Sequence, residues 1–193
     1  ILSGLVGSEM CIRDRPDPDY SFGFEEKLDL ALRGGARVVW SMFGTFTPEQ
    51  IERIHTAGAE AWTTVTTPAE ATVAARRGVD VLCVQGPAAG GHRGTWDLAA
   101  TPDSRDLEEL VSDVHTAAPD LPLIAAGGLR TAEDIATAMS WDGVAACSCG
   151  SAFLLTEEAG TSDYNRQLLR RGGQTVSTLS LIHISEPTRP ERI

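Results

Sequence analysis

The residues best suited to chemistry lie in three glycine-rich segments, each of which follows an apolar run. The first segment is QGPAAGGHRG, residues 85–94, and its histidine is His92. Because glycines lie on both sides of it, this imidazole can approach a ligand closely, and it changes charge near neutral pH. Both properties suit proton transfer or anion binding. The alternative is a loop histidine that only bonds a carbonyl group, and His92 alone does not exclude it.

The other two segments are suited to binding a phosphate group. AAGGL, residues 125–129, leads into a helix start at Thr131, and SCGSAF, residues 148–153, follows the next apolar run. The paired glycines Gly127 and Gly128 allow backbone N–H groups to approach an anion, and the following helix adds a favourable dipole. Ser151 supplies a hydroxyl group. A phosphate site after two consecutive strands is typical of barrel enzymes, although a tight turn also explains paired glycines.

Five apolar runs are predicted to be β-strands, at residues 36–42, 60–66, 79–85, 121–126 and 143–149. They are nearly continuous in Val, Ile, Leu, Ala and Cys, as expected of strands buried on both faces of a parallel sheet. Amphipathic segments alternate with them, which predicts repeated βαβ units. Ligands bind outside the carboxyl ends of the strands in such proteins, which is where the three glycine-rich segments lie.

Three helix starts share a Thr N-cap followed three residues later by a side chain that can close a capping box. The pairs are Thr47 with Gln50, Thr67 with Glu70, and Thr131 with Asp134. Strand, cap, helix and glycine thus repeat along the chain. The repeat fits either a doubly wound open sheet or a (β/α)8 barrel. A barrel would be partial, with about five βα units, because the roughly 160 residues from 16 to 178 fall short of the ~250 typical of eight units.

Composition fits one α/β domain and argues against two classes of partner. The 193 residues contain 16 Lys and Arg against 27 Asp and Glu, a formal net charge of −11. Such a charge opposes nucleic-acid binding. No apolar run approaches the ~20 residues that a membrane helix needs. We therefore expect neither a nucleic-acid nor a membrane partner.

The cysteines indicate a reducing compartment and no metal site. Of the four cysteines, Cys11 lies in the N-terminal segment that is excluded below. The other three, Cys83, Cys147 and Cys149, lie within apolar runs and lack secretory flanks, and their odd number predicts an intracellular, cytoplasmic protein. Cys147 and Cys149 face the same side of one strand, but no second Cys or His cluster stands at zinc spacing. We expect them to be small buried side chains that fill space in the core.

Two histidines and two tryptophans are expected to have no role in catalysis. His55 and His115 lie within predicted helices, where solvent exposure is expected. Trp40 and Trp62 lie in strand runs and are expected in the core or in a pocket wall.

The two ends of the chain are expected to derive from a DNA adapter. One DNA sequence encodes LSLIHISEPTR, residues 179–189, on one strand and LVGSEMCIRD, residues 5–14, on the other. Unrelated protein segments have no physical reason to be antisense to each other. We therefore exclude residues 1–15 and 179–193 from fold reasoning, and expect residues 16–178 to be a truncated barrel domain.

Three motifs in order resemble the nitronate monooxygenase family, formerly called 2-nitropropane dioxygenases. They are QGPAAGGHRG, LIAAGGLRTAEDIATAM and GSAFLLTEEAG, and the similarity runs from about residue 38 to residue 170. Members of that family are FMN-dependent (β/α)8 barrels that oxidise alkyl nitronates with O2 to a carbonyl compound and nitrite. The resemblance therefore implies FMN as cofactor, and an alkyl nitronate and O2 as substrates.

The resemblance also implies a role for each motif residue. His92 matches the active-site histidine that faces the flavin, and Gln85, Gly90 and Gly91 would contact the flavin. The phosphate of FMN would be held by Gly127, Gly128, Ser148, Gly150 and Ser151.

Several departures from the family pattern limit what is implied. Ala88 stands where members often have Glu, and Ser151 stands where Thr is usual. The N-terminal flavin-binding strand and the segment that closes the barrel have no counterpart, so we expect this chain alone to bind FMN poorly and to be inactive. Two other functions stay open: an FMN-dependent enoyl-acyl-carrier-protein reductase or NADH:quinone reductase of the same barrel type, and a non-catalytic α/β fragment that binds a phosphate ligand.

Overall fold

The computed structural model describes residues 23–97, 100–171 and 177–178. The two ends that we expect to be adapter-derived, 1–15 and 179–193, lie outside these residues. No helix within the described ranges has both the length and the apolar character needed to cross a membrane.

A five-stranded parallel sheet forms the centre of the molecule. Its strands are β1 (Val38–Ser41), β2 (Glu60–Val65), β3 (Val81–Gln85), β5 (Leu123–Ala126) and β6 (Val144–Ser148). Each of them falls within one of the five predicted runs, so that prediction is confirmed. Every neighbouring pair is parallel, as the continuous apolar composition of the runs indicated.

The strand order identifies the sheet as part of a barrel. The order is β1-β2-β3-β5-β6, so that successive strands along the chain are neighbours in space. A doubly wound sheet instead reverses direction at a switch point, which places later strands on the far side of the first. Since right-handed crossovers that always advance in one direction leave their helices on one face, the sheet is an arc of a (β/α)8 barrel. The predicted partial barrel is confirmed.

Six helices and one short 3-10 helix accompany the strands in the described ranges. They are α1 (Phe24–Arg33), α2 (Pro48–Thr56), α3 (Pro68–Arg77), α4 (Leu107–Ala117), α5 (Ala132–Ala138), the 3-10 helix Ser151–Leu155, and α6 (Asp163–Arg170). Helices α2 and α5 begin with the predicted capping boxes of Thr47 with Gln50 and Thr131 with Asp134. At α3, Thr67 accepts the amide of Glu70 as predicted, but the Glu70 side chain does not return to its own cap.

The two faces of the sheet pack differently. Outward side chains such as Val65, Leu82 and Leu123 are fully buried in a core shared with helices α2 to α4. Inward side chains form a smaller cluster of Val81, Cys83, Ile124 and Ala126, against which Trp62 packs. The larger core therefore lies between sheet and helices, and the inner face is the side that a closed barrel would enclose.

A second, two-stranded sheet lies outside the main one. Strand β4 (Gly91–His92) pairs in parallel with β7 (Ser177–Thr178), and the partner of His92 is Thr178. No local pattern in the sequence predicts this pairing. It places the predicted catalytic histidine in a short strand that follows β3 rather than in an irregular loop.

Candidate functional site

The three glycine-rich segments start at adjacent positions on one edge of the sheet. Gln85 of β3 pairs in register with Ala126 of β5, and Ala126 pairs with Ser148 of β6. Neighbouring parallel strands lie about 4.8 Å apart, so the segments leave the sheet side by side. The prediction that these strand ends lie together is confirmed.

The side chain of Gln85 holds the segment that carries His92. Gln85 is buried, and its Nε2 donates to the carbonyl oxygen of His92 at 3.0 Å. Its Oε1 accepts the amide of Gly94 at 2.6 Å. A Cβ on Gly94 would lie 3.1 Å from the methyl carbon of Thr64, so the segment approaches β2 closely. The Gln85 side chain therefore binds the backbone of this segment at two points.

The imidazole of His92 lies against an aromatic ring from the end of β1. Its ring centroid is 6.2 Å from that of Phe43, at an interplanar angle of 85°. His92 is half-buried, and no described residue bonds its ring nitrogens. Phe43 has φ = 67°, and it is the one non-glycine residue with a positive φ in the described ranges. A left-handed aromatic residue is strained, and such strain concentrates at functional sites.

The turn after β5 packs against the segment after β3. Gly127 and Gly128 have φ values of 109° and 79°, which side chains other than glycine rarely adopt. A Cβ on Gly127 would lie 3.0 Å from the amide nitrogen of Ala89, and one on Gly128 would lie 3.0 Å from the Cβ of Ala88. The turn and the packing therefore both require glycine. Neither glycine amide donates a hydrogen bond to another described residue.

The N-terminus of α5 is capped by the side chain of Asp134. Asp134 Oδ2 accepts the amides of Arg130 at 2.9 Å and Thr131 at 2.8 Å. These backbone bonds lower the pKa of Asp134 below its usual value, so the carboxylate stays ionised and occupies the helix end. Asp134 does not bond the amides of Gly127 and Gly128, which are the amides that the sequence predicts for a phosphate.

The segment after β6 is open to solvent. Ser148 and Gly150 are exposed, and Ser151, half-buried, begins the 3-10 helix. Gly90 and Gly91, in the segment after β3, are exposed as well. No Cβ contact would form within 4 Å at Gly91 or Gly150, so packing does not require glycine at these two positions.

A buried polar network joins the end of β2 to the segment after β3, and the sequence did not predict it. Glu70, only 9% exposed, accepts the amide and the hydroxyl of Thr66 through Oε2, at 2.5 and 2.9 Å. Its Oε1 accepts the amide of Trp96 at 2.9 Å. The indole Nε1 of Trp96 donates to the carbonyl oxygen of Thr64 at 3.0 Å. The expected capping role of Glu70 is therefore wrong, because its carboxylate joins the end of β2 to the segment after β3.

Arg93 lies in the same buried region. It is 3% exposed, and its Nη2 donates to the carbonyl oxygen of Asp103 at 3.4 Å. Burial lowers the pKa of this guanidinium, while the negative charges of Asp103 and Glu70 act in the opposite direction. Arg93 is therefore buried and does not lie at the open edge of the site.

Two tryptophans line the inner face below the strand ends. Trp40 and Trp62 are paired in register, with ring centroids 5.5 Å apart, and Trp40 Nε1 donates to Thr64 Oγ1 at 2.9 Å. Trp40 is 44% exposed, so of the two expected places, core or pocket wall, the core is excluded for this side chain.

The remaining histidines and cysteines differ in part from expectation. His55 is exposed and contacts Asp80 Oδ2 at 2.8 Å, whereas His115 is half-buried. Cys147 and Cys149 are half-buried and border the main core rather than filling it. Within the described ranges no three His, Cys, Asp or Glu side chains group as metal ligands would.

The fold places the chain in the class of β/α-barrel proteins, in which ligands bind at the carboxyl ends of the strands. The nitronate monooxygenase family model matches residues 8–184. The chain belongs to the nitronate monooxygenase family, whose members are oxidoreductases.

Individual relatives support the family and carry more than one activity. A nitronate monooxygenase of Pseudomonas aeruginosa is 29% identical over 153 residues, covering 78% of this chain and 43% of the relative. The (3aS,4S,5R,7aS)-5-hydroxy-7a-methyl-1-oxo-octahydro-1H-indene-4-carboxyl-CoA dehydrogenase of Rhodococcus jostii is 31% identical over 149 residues, covering 77% and 39%. The chain thus spans less than half the length of these relatives.

Among solved structures, a nitroalkane oxidase from Streptomyces ansochromogenes superposes with a TM-score of 0.68. Its sequence is 34% identical, and the match covers 76% of this chain and 42% of that one. The same arrangement of strands and helices is therefore found in an enzyme that is named a nitroalkane oxidase.

Proposed function

We propose that this chain is part of an FMN-dependent nitronate monooxygenase that oxidises alkyl nitronates with O2 to a carbonyl compound and nitrite. The observation that carries the proposal is the row Gln85, Ala126 and Ser148, which brings the three family motifs to one edge of the sheet. Family membership supports the reaction class.

The residues at this edge fit the phosphate end of a flavin nucleotide. The amides of Gly127 and Gly128 are unbonded within the described residues, and Ser148 and Gly150 are exposed beside them. Ser151 adds a hydroxyl group at the start of the 3-10 helix. In this proposal these five residues hold the phosphate, and Gln85, Gly90 and Gly91 contact the rest of the cofactor.

His92 is the proposed catalytic residue. Its ring nitrogens are unbonded within the described residues, and its backbone is fixed by Gln85, so the ring can bind an anionic nitronate or move a proton without disturbing the fold. The exposed inner face beside it, with Trp40 and Met42, suits the alkyl group of such a substrate. Bound FMN would supply the redox chemistry between the nitronate and O2.

The most direct competitor is an enoyl-acyl-carrier-protein reductase, an NADH:quinone reductase or another oxidoreductase of the same barrel type. One specific observation favours it: the carboxyl-CoA dehydrogenase relative is as similar to this chain as the nitronate monooxygenases are. A non-catalytic fragment that binds a phosphate ligand is the remaining alternative.

A test requires the complete protein, since this chain spans less than half of its relatives. We define the extended protein as the product of the gene in which residues 16–178 are continued at both ends. We expect it to release nitrite from propionate 3-nitronate without NADH. NADH consumption in the absence of a nitronate, with no nitrite release, would instead support the reductase.

Replacement of His92 separates catalysis from simple binding. We expect His92→Ala in the extended protein to lower kcat/KM by about 10²- to 10⁴-fold, the contribution of a positioned acid or base. His55→Ala is the matched control, because His55 lies on the exposed surface of α2 with Asp80. Turnover unchanged in the His92→Ala variant would remove this residue from the mechanism.

We further propose a cytoplasmic location and an origin for the two ends. The thiols Cys83, Cys147 and Cys149 are free, as in proteins of a reducing compartment. Residues 1–15 and 179–193 would be adapter-derived, and genomic sequence on both sides of the segment 16–178 would test that proposal.

A further inference from the structure

Glu70 is the third residue after the Thr N-cap of α3, a position at which the other two Thr-capped helices form a capping box. In α2 and α5, Gln50 and Asp134 stand three residues after the cap and bond back to it, and both bonds are exposed. Glu70 stands at the same position of α3, but its carboxylate is buried and accepts the amide of Trp96, in the segment after β3. Because burying a carboxylate is unfavourable unless its partners compensate, a helix cap alone does not explain this arrangement.

The carboxylate of Glu70 bridges two parts of the site. On one side it accepts two hydrogen bonds from Thr66, directly after β2, and on the other it accepts the amide of Trp96. Two of these donors are backbone amides, which can only donate. Both carboxylate oxygens are therefore needed as acceptors, and a glutamine side chain has only one.

The segment from residue 92 to residue 96 is consequently held at both ends. Gln85 bonds the carbonyl of His92 and the amide of Gly94, and Glu70 bonds the amide of Trp96. The His92 ring meets Phe43 at the first of these ends. Without the Glu70 bond, the Trp96 amide would lose its acceptor, and the segment would be held by Gln85 and by the indole bond from Trp96 to the carbonyl oxygen of Thr64.

We propose that Glu70 is a positioning residue for His92: its buried carboxylate ties the segment that carries the imidazole to the end of β2, which keeps the ring against Phe43. This inference rests on the proposed function only in so far as His92 acts on substrate. Glu70 itself does not lie among the residues proposed to contact flavin or nitronate.

The kinetic test uses Glu70→Gln and Glu70→Asp in the extended protein, with Gln50→Ala as the matched control at the same helix position. Glutamine keeps the size but loses one acceptor, and aspartate keeps the charge but is too short to reach both partners. We expect both variants to lower kcat about 10- to 100-fold with bound flavin and KM little changed, since a small misplacement of a catalytic group has such an effect. Gln50→Ala should leave kcat unchanged.

A second readout needs neither flavin nor turnover. Because the Phe43 and His92 ring centroids lie 6.2 Å apart, we expect the Phe43 ring current to shift the NMR signals of the His92 ring protons. Phe43→Leu in the extended protein gives the reference without that ring current. We expect the His92 signals of Glu70→Gln to move toward this reference and those of Gln50→Ala to stay at the wild-type position. Wild-type His92 signals in both Glu70 variants would overturn the proposal. Absence of nitrite release from the wild-type extended protein would instead contradict the proposed function, and would leave the NMR result valid.

Discussion

The imidazole of His92 is held through its backbone rather than through its ring. Gln85 donates a hydrogen bond to the carbonyl oxygen of His92. The His92 ring contacts the Phe43 ring edge to face and has no hydrogen bond to any described residue. A histidine that is fixed in position but has both ring nitrogens available can bind an anion or transfer a proton. This arrangement favours the functional interpretation over a histidine that merely bonds a loop carbonyl.

Cys83 provides a residue-scale prediction with a defined pH dependence. Burial raises the pKa of its thiol to about 12, while a bond with Thr64 acts weakly in the opposite direction. Since only the thiolate reacts, and the thiol stays protonated until the pH approaches that value, we expect Cys83 to resist alkylation at pH 8 in the folded protein. It should react once the protein is unfolded in denaturant.

Peptide mass spectrometry after a timed reaction with iodoacetamide measures this difference directly. Half-buried Cys149 is the internal comparison and should be modified first. Equal rates at Cys83 and Cys149 in the folded protein would show that the inner face of β3 is not packed as described.

Residue roles could be predicted from the sequence only where they depend on local spacing. Gln85 and His92 stand in one glycine-rich segment directly after a strand, and the sequence identified both. The roles of Phe43 and Glu70 were not predicted, because they depend on distant contacts that no local pattern encodes. Phe43 contacts His92, 49 positions away, and Glu70 bonds Trp96, 26 positions away. The sequence TPAE predicts a capping box equally well whether or not the box forms.

At the scale of elements, helices and strands followed closely from the sequence because each has a local cause. Continuous apolar runs gave the five strands, and Thr caps gave the starts of α2, α3 and α5. The choice between barrel and doubly wound sheet could not be made locally, since it depends on which strands become neighbours. The pairing of β4 with β7 joins segments 86 residues apart and was missed for the same reason.

The turn that joins β5 to α5 gives an element-scale prediction. Gly127 and Gly58 both have positive φ, but a Cβ would meet the Ala89 amide only at Gly127, whereas Gly58 faces open space. We expect Gly58→Ala to lower the free energy of unfolding by about 1 kcal/mol, the usual cost of left-handed backbone. Gly127→Ala should cost more than about 2 kcal/mol, because the neighbouring segment must also move.

Urea denaturation of the two variants in the extended protein measures both costs. Flavin content is the second readout, and we expect it to fall in Gly127→Ala but not in Gly58→Ala. Equal destabilisation by the two substitutions would contradict the close packing between the turn and the segment after β3.

At the scale of the whole molecule, the inner face of the arc is partly exposed at β1. Val38 and Trp40 of β1 are 39% and 44% exposed, and Met42 beyond them is 41% exposed. In a closed barrel such side chains fill the interior, and closure also removes the unpaired edges of the sheet. The arc thus contains the proposed phosphate residues and His92 but leaves the inner wall of the site partly open.

This openness predicts that the 193-residue chain binds FMN poorly. Titration of FMN into the purified chain should give no stoichiometric change in the flavin absorption spectrum, whereas the extended protein should give one. The reason is that the phosphate residues alone contribute only part of the contacts that a flavin needs. Stoichiometric binding by the 193-residue chain would refute the prediction.

A crystal structure of the extended protein with bound FMN tests the central claim most directly, because it measures where the phosphorus atom and the flavin ring lie. The phosphate should accept hydrogen bonds from the amides of Gly127 and Gly128 and from Ser151, with the imidazole of His92 facing the ring. A flavin bound at the opposite ends of the strands, or a His92 ring turned away from it, would contradict the assignment.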